Sequence, residues 1–382
     1  MSQLNVDAIR ASNGTGDAIS FTASSNTCTA NITNPPAGNR NLIINGSQII
    51  YQRNSGSAVT VNNATITHIS DRFSLYEDTD GVVSAQQSST SPDGFTKSLK
   101  VDCTTVDTSL ASSQRLLCEH RIEGNNIAHL GFGSGAAKTI TLSFYVKSNL
   151  TGTFGGSIKN SANNRVYIFS YSISSANTWE RKTITIAGDT SGTWLTTNGT
   201  GITINWGLAL GSDWVGSAGS WGTSDKHGVT GQLNLLSSTD NEWLLTGVQL
   251  EVSDYATEFE HLSYADELRR CQRYYFRQNL ANNQFFGQGF AAYDSFGDVM
   301  IHFPVPMRTK PTGLEQTGTA GDYKLARRTS STTCSAVPTF SNSTENFGTL
   351  TWTTGSGMSG GECVFMQSTG DDHFLGWTGA EL

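Results

Sequence analysis

The chain has 382 residues and a mass of 41.0 kDa, enough for about two to three domains. Charged residues make up 15% and hydrophobic ones 36%, with 40 glycines. This excludes both a highly charged disordered polymer and a protein built on long Ala-, Leu-, Glu- and Lys-rich helices. A net charge of −8, with no Lys/Arg run and no apolar stretch near the roughly 20 residues of a bilayer span, argues against nucleic acid and membrane insertion.

The composition therefore predicts an all-β protein. Residues 1–40 come first. Leu4, Val6 and Ala8 alternate with polar residues, Asn13-Gly14-Thr15-Gly16 makes a turn, and Ile19 and Phe21 alternate again before Pro35-Pro36. That is a hairpin pattern. A lone hairpin is marginal in water, so the segment is expected to dock on a partner or on copies of itself.

Residues 41–258 are Pro-poor, with strand candidates at 41–50, 68–76, 97–102, 139–146, 165–170, 182–187, 202–210, 231–236 and 243–250. Turns rich in Gly, Asn and Ser separate them, which predicts one large jelly-roll sandwich. Ser263 and Asp266 then form an S-x-x-D helix start, and Leu268, Cys271 and Tyr275 share one face. Residues 259–276 are thus read as a short helical connector. Residues 277–382 return to β character as a small C-terminal sandwich, with strands at 323–327, 349–353 and 362–366. In this domain 303–307 reads as a kinked edge strand and 308–312 as a turn.

Six cysteines (Cys28, Cys103, Cys118, Cys271, Cys334 and Cys363) show no CxxC spacing. Cys103 with Cys118, or Cys334 with Cys363, could pair across strands. The opening residues lack a basic segment followed by an apolar one, so no secretory signal is predicted and buried free thiols are the expectation.

Catalytic patterns are sparse. There is no GxSxG, HExxH or Walker sequence, and Glu119, Glu123, Asp254, Glu258 and Glu260 form no distinctive carboxylate pair. Asp371-Asp372-His373 reads as a solvated turn. No enzymatic activity is predicted. The aromatics say more. Trp194, Trp206, Trp214 and Trp221 fall close together, and Asp213 and Asp225 flank the Gly/Ser loop that carries two of them. Aromatic faces pack on the C–H faces of sugars while carboxylates and amides bond hydroxyls. Trp214, Trp221, Trp194, Asp213 and Asp225 are the expected carbohydrate site, with Trp206 assigned to the core. Tyr293, Phe296, Phe374 and Trp377 form a candidate second patch in the C-terminal domain. No metal ligand set or cofactor is predicted. A Ca²⁺ held by loop carboxylates and carbonyls would suit a sandwich module, but no loop is singled out.

Several strings resemble a bacteriophage tail-fibre, receptor-binding family with a jelly roll like a carbohydrate-binding module. The first is Asn41-Leu42-Ile43-Ile44-Asn45-Gly46 with Tyr51-Gln52-Arg53 and Asp71-Arg72-Phe73. The second is Thr246-Gly247-Val248-Gln249-Leu250-Glu251, then Ala256-Thr257-Glu258-Phe259-Glu260. It runs on into Glu267-Leu268-Arg269-Arg270-Cys271-Gln272-Arg273-Tyr274-Tyr275. Glu258 stands where that family usually has Pro, and Tyr51 and Phe73 where it has Trp. Residues 303–312 with Ala380-Glu381-Leu382 are similar to its C-terminal domain, and residues 1–40 to its docking and trimerisation segments.

The resemblance implies a homotrimeric virion fibre, assembled in the host cytoplasm. Its residues 1–40 would meet other virion proteins and its loops would bind host cell-surface glycan. A structural virion protein (head fibre, decoration or adaptor) is the alternative, ahead of a polysaccharide depolymerase.

Overall fold

The computed structural model describes residues 8–10, 17–21, 30–31, 40–62, 64–328 and 330–382. The chain divides into two compact units, Met1–Arg40 and Asn41–Leu382. In the first, Ala8–Arg10 pairs antiparallel with Asp17–Phe21, with Ile9 opposite Ile19. A third strand, Ala30–Asn31, pairs on the far side. The predicted hairpin thus gains a strand, while Leu4, Val6, the turn at 13–16 and Cys28 lie outside the described residues.

The second unit is nearly all β, as the composition predicted. Its jelly roll has two antiparallel sheets. The six-stranded back sheet runs Glu180–Ile186, Ile140–Ser148, Glu242–Glu251, Ser98–Thr105, Val82–Ser88, Val59–Val61. The seven-stranded front sheet runs Trp221–Gly222, Val166–Ile173, Gly152–Lys159, Thr200–Leu210, Arg115–Glu123, Phe73–Glu77, Ile66–Ser70. Alternation decides which residues meet between them. Along Arg115–Glu123, Leu116, Cys118, His120 and Ile122 are buried in the core, while Arg115, Glu119 and Arg121 point away. Trp206, Trp243, Phe73, Phe144 and Phe154 fill the space between the sheets. Trp206 is the core residue expected, set edge-on to Phe144 with ring centroids 5.8 Å apart.

The helix Tyr264–Gln272 starts where predicted: Ser263 Oγ accepts from Asp266 N at 3.2 Å and donates to Asp266 Oδ2 at 2.6 Å. Its apolar face meets a small cluster of Ile44, Ile50, Cys271 and Tyr274. The C-terminal sandwich packs a seven-stranded sheet on a three-stranded one, Phe276–Leu280, His373–Thr378 and Gly313–Gln316. Trp352 and Trp377 are fully buried between them.

Three predicted strands are not strands. Residues 41–50 are extended turns in which Asn45 and Gln48 take positive φ of 62° and 58°. The Asn45 side chain replaces the sheet ladder there: it donates to Ile50 O and Asp71 O, both at 2.9 Å, and accepts from Ile50 N. Residues 231–236 end in a 3-10 turn, Leu235–Ser237, and Pro304 and Pro306 leave 303–307 as a bend. Cys103, Cys118, Cys271 and Cys334 are free and buried. Cys363 is free but exposed, which corrects its expected burial.

Most of the family-like strings converge on one joint. Gln52 donates from its backbone and side chain to Asp71 (2.7 and 2.5 Å) and from its side chain to Tyr275 O (2.7 Å). Asn45 N donates to Glu267 Oε1 at 2.5 Å. Arg53 lies 3.5 Å over the Tyr275 ring and pairs bidentately with Glu381 at 2.6 and 2.9 Å. Arg72 lies 3.6 Å over Tyr274. Arg273 pairs bidentately with Glu123 at 2.9 and 2.7 Å, and Tyr274 Oη donates to the same carboxylate at 2.8 Å. Arg308 donates to Ala380 O, Glu381 O and Asn198 O. These residues weld jelly roll, helix and C-terminal domain together.

Candidate functional site

The outer face of the front sheet carries a groove of about 350 Å³. Arg115, Leu117, Glu119 and Arg121 contribute from one strand, Thr200 and Thr203 from the next, and Lys159 from the one beyond. Tyr76 and Ile66 line one side, and Asp225 and His227 reach in from the long loop that follows Thr200–Leu210. That loop lies flat because the sheet beneath it is glycine: a Cβ at Gly155 would stand 2.5 Å from Val229 N and 2.8 Å from the Gly228 Cα. Neither backbone atom can yield without moving the loop. Gly155→Ala is therefore expected to destabilise the domain by about 1–3 kcal/mol, read as a lowered denaturation midpoint.

Arg115 organises the groove. Its guanidinium carbon lies 3.9 Å from the Trp214 ring centre and 4.6 Å from that of Tyr76, and Nη1 is 3.1 Å from His227 Nε2. A guanidinium only donates, so Nε2 must accept and the His227 proton sits on Nδ1. The Asn205 Nδ2 lies 3.4 Å from that nitrogen and is itself a donor, so it makes no hydrogen bond to Nδ1–H in this orientation. Burial, and then the charges of Lys159, Arg115 and Lys226, hold His227 neutral with its pKa down at about 2. Lys159 Nζ pairs with Asp225 Oδ1 at 3.0 Å, and Arg121 Nη2 with Glu119 Oε2 at 3.2 Å. Burial lowers the Lys159 pKa against the opposing pull of Asp225. The floor is thus a set of adjacent donors and acceptors, edged by apolar Ile66, Leu117 and Tyr76.

The residues expected from sequence divide into three places. Asp225 is in the groove and Trp214 is at its end, where the indole ring is half-buried under Arg115, 5.0 Å from the His227 ring, and its Nε1 donates to Ser113 O at 2.6 Å. Asp213 is exposed beside it and accepts from Ser112 Oγ at 2.8 Å. Trp194 and Trp221 are elsewhere. They form an edge-to-face cluster with Phe132, in which Trp194 is only 7% exposed and Trp221 Nε1 donates to Ala187 O. Trp194 is a buried anchor, which corrects its assignment as a sugar platform, while Trp221 holds the loop against the sheet edge and stays partly exposed. Tyr293 and Phe296 are exposed with ring centroids 5.0 Å apart. Trp377 is corrected to the core at 0% exposure, and Phe374 lies under the Arg277 guanidinium at 3.5 Å.

Sequence reasoning missed Arg115, Lys159 and His227. The only signal was at Arg115, a basic residue beginning a strand whose alternate residues are apolar.

A larger cleft, about 800 Å³, lies between Ile66–Ser70 and the C-terminal domain. Its charges Arg53, Glu315 and Glu381 pair across the jelly roll and the C-terminal domain, so it marks the joint. Among the described residues no group of three or more His, Cys, Asp or Glu side chains is placed to hold a metal ion. No helix among them is long and apolar enough to cross a membrane.

No protein-family model and no curated protein matches the chain in sequence. Among solved structures it is similar to tailspike protein 4 of bacteriophage CBA120 (14% identity, TM-score 0.28, 56% of this chain and 22% of the tailspike). It is also similar to a family 11 carbohydrate-binding module of a Clostridium thermocellum cellulase (13%, TM-score 0.25, 53% of this chain and 100% of the module). A third is a xylan-binding domain from Paenibacillus barcinonensis (8%, TM-score 0.23, 53% and 97%). The chain thus spans about a fifth of the tailspike's length. These scores are low, and the jelly roll stands on its own strand pairing.

Proposed function

We propose that the protein is a non-enzymatic phage fibre that binds host-surface glycan through the front-sheet groove. The observation that carries this is the floor of adjacent donor and acceptor side chains, Arg115, Arg121 and Lys159 beside Glu119 and Asp225. A sugar hydroxyl is donor and acceptor at once and fits between such partners, while Tyr76 and Ile66 meet its C–H faces. Glu119 and Asp225 each face a cation, an arrangement for holding a ligand.

The phage assignment rests on the family-like strings. With it come the virion location, assembly in the host cytoplasm, a homotrimer, and docking of residues 1–40 on other virion proteins. Trimerisation would multiply weak single-site contacts through effective concentration. A Ca²⁺ is not needed by this reading.

The test is calorimetric titration of the full chain with polysaccharides from candidate hosts. Arg115→Ala and Lys159→Met are each expected to weaken binding at least tenfold. Both also lower the denaturation midpoint, since Lys159→Met leaves Asp225 without its cation, so binding is measured well below the midpoint of each variant. Binding that survives both substitutions, or no polysaccharide binding at millimolar saccharide, would overturn the groove assignment. Release of reducing ends during the titration would overturn the non-enzymatic reading.

A further inference from the structure

Of the twelve large hydrophobic side chains exposed among the described residues, six lie on or beside one surface: Phe285, Phe290, Tyr293, Phe296, Met300 and Phe365. That surface is the outer face of the C-terminal seven-stranded sheet. Strand register explains the concentration. Phe290 and Gln288 share a face of Phe285–Ala291, Phe290 sits opposite Cys363 and Asp298, and Gln288 sits opposite Phe365 and Met300. A bulge between Phe285 and Gly287 turns Phe285 to the same side, where its ring lies 5.2 Å from Phe365. The opposite face of these strands already carries a full core, with Phe286, Val299, Trp352 and Met366 buried. The outward rings are thus a second apolar face on a sheet that needs only one.

Fractional exposures of 38–63% on side chains of ~200 Å² each leave roughly 600 Å² of apolar surface. That is at the top of what a monomer normally shows, and with the flanking Thr and Gln it approaches the ~800 Å² each partner gives to a stable interface. Outward on the four central strands, Asp298 is the one carboxylate, and it is engaged by Thr351 Oγ1 at 2.8 Å. The chain carries a net charge of −8, so copies repel one another over most of their surface. This face combines a single carboxylate on its central strands with half of the exposed large hydrophobic side chains among the described residues.

We propose that the outer face of the C-terminal sheet packs against a second copy of this chain. Sheet faces pack about 10 Å apart with side chains interdigitating, and between the large rings the face carries the smaller side chains of Gln288, Asp298, Thr349 and Thr351. Cys363, the exposed cysteine among those described, lies inside the buried area and becomes its reporter. The proposal does not depend on glycan binding, and it assigns self-association to a surface other than residues 1–40.

The experiment uses the full chain at 1 to 50 µM (on the order of common interface affinities) in light scattering coupled to size exclusion. The wild type is expected at a multiple of 41.0 kDa, and the Phe290→Lys/Phe365→Lys double variant at the monomer mass with an unchanged far-ultraviolet spectrum. Cys363 alkylation, followed by peptide mass, should be slow in the wild type and at least tenfold faster in the variant. If the double variant misfolds, Tyr293→Ser, which alters only an exposed turn side chain, should shift the assembly midpoint to higher concentration. A wild-type monomer at 50 µM, a double variant that keeps the wild-type mass, or rapid alkylation of Cys363 in the wild type would each overturn the proposal. So would a monomer whose exposed rings are protected by soluble polysaccharide, which would make the face a sugar platform.

Discussion

Acidification from pH 7 to pH 5 is expected to cost the folded protein several kcal/mol, through histidines that stay neutral when buried. His120 lies in the jelly-roll core 4.6 Å from the Phe73 ring, with no well-formed hydrogen bond at either nitrogen. Burial and then the Arg72 charge push its pKa well below the usual value. Burial lowers His68 to about 4 against the attraction of Glu381, and lowers His227 to about 2. In the unfolded chain each titrates near 6.5. Below that pH the unfolded state binds protons that the folded state refuses, so stability is complete above about pH 6.5 and falls as pH drops. Each such group contributes a slope of up to about 1.4 kcal/mol per pH unit, and together they approach ~4 kcal/mol per unit.

Burial also raises the pKa of Asp71, Glu77 and Glu267. These carboxyls protonate sooner in the folded state and act with the opposite sign nearer pH 4, so the cleanest window is pH 6.5 to 5. Urea denaturation at half-unit intervals is the measurement. His120→Phe should flatten the slope by about a third. A midpoint independent of pH across that window would show that the rings are hydrated or paired.

The second large effect is expected at the joint. Glu123 is 1% exposed at its side chain and takes two bonds from Arg273, one from Tyr274 Oη and one from Asn125 at 2.9 Å. The bonds from Arg273, Tyr274 and Asn125 hold its carboxyl below the usual range despite burial. Glu123→Ala leaves a guanidinium and a phenol facing a space with no acceptor. Removing one partner of a buried pair costs about 3–5 kcal/mol, and Arg273, 36% exposed, keeps some water, which places the loss near 3 kcal/mol. Because the pair bridges jelly roll and connector, the loss should appear as uncoupling. Limited proteolysis is expected to cut near residues 255–263 in the variant and leave the wild type intact. An unchanged midpoint and cleavage pattern would mean that the joint is held by Arg53, Arg72 and Arg308 without it.

Composition by itself settled the all-β class, because a chain this poor in helix formers and this rich in Gly, Ser and Thr has no other way to satisfy its backbone. The single helix was legible for a local reason: Ser263, Asp266 and the apolar spacing of Leu268 and Cys271 act within little more than two turns. Alternating strands such as Ile140–Ser148 were legible for the same reason. Strands that carry polar or glycine residues on both sides, Gly152–Lys159 among them, were not, because the partners that bury those residues are far away in sequence.

The site shows the limit most clearly. Tryptophan chemistry is local, so Trp214 and Asp225 could be picked out, yet the same reasoning chose Trp194, Trp221 and Trp377, whose rings pack against loop and core. A ring looks identical in sequence whether it faces water or another ring. Arg115, Lys159 and His227 gained their roles only when three strands and a loop were brought side by side across a gap of 112 residues. Side-chain alternation fixes two faces for every strand, but only the packing of one sheet on another decides which face becomes core and which is left to meet a ligand.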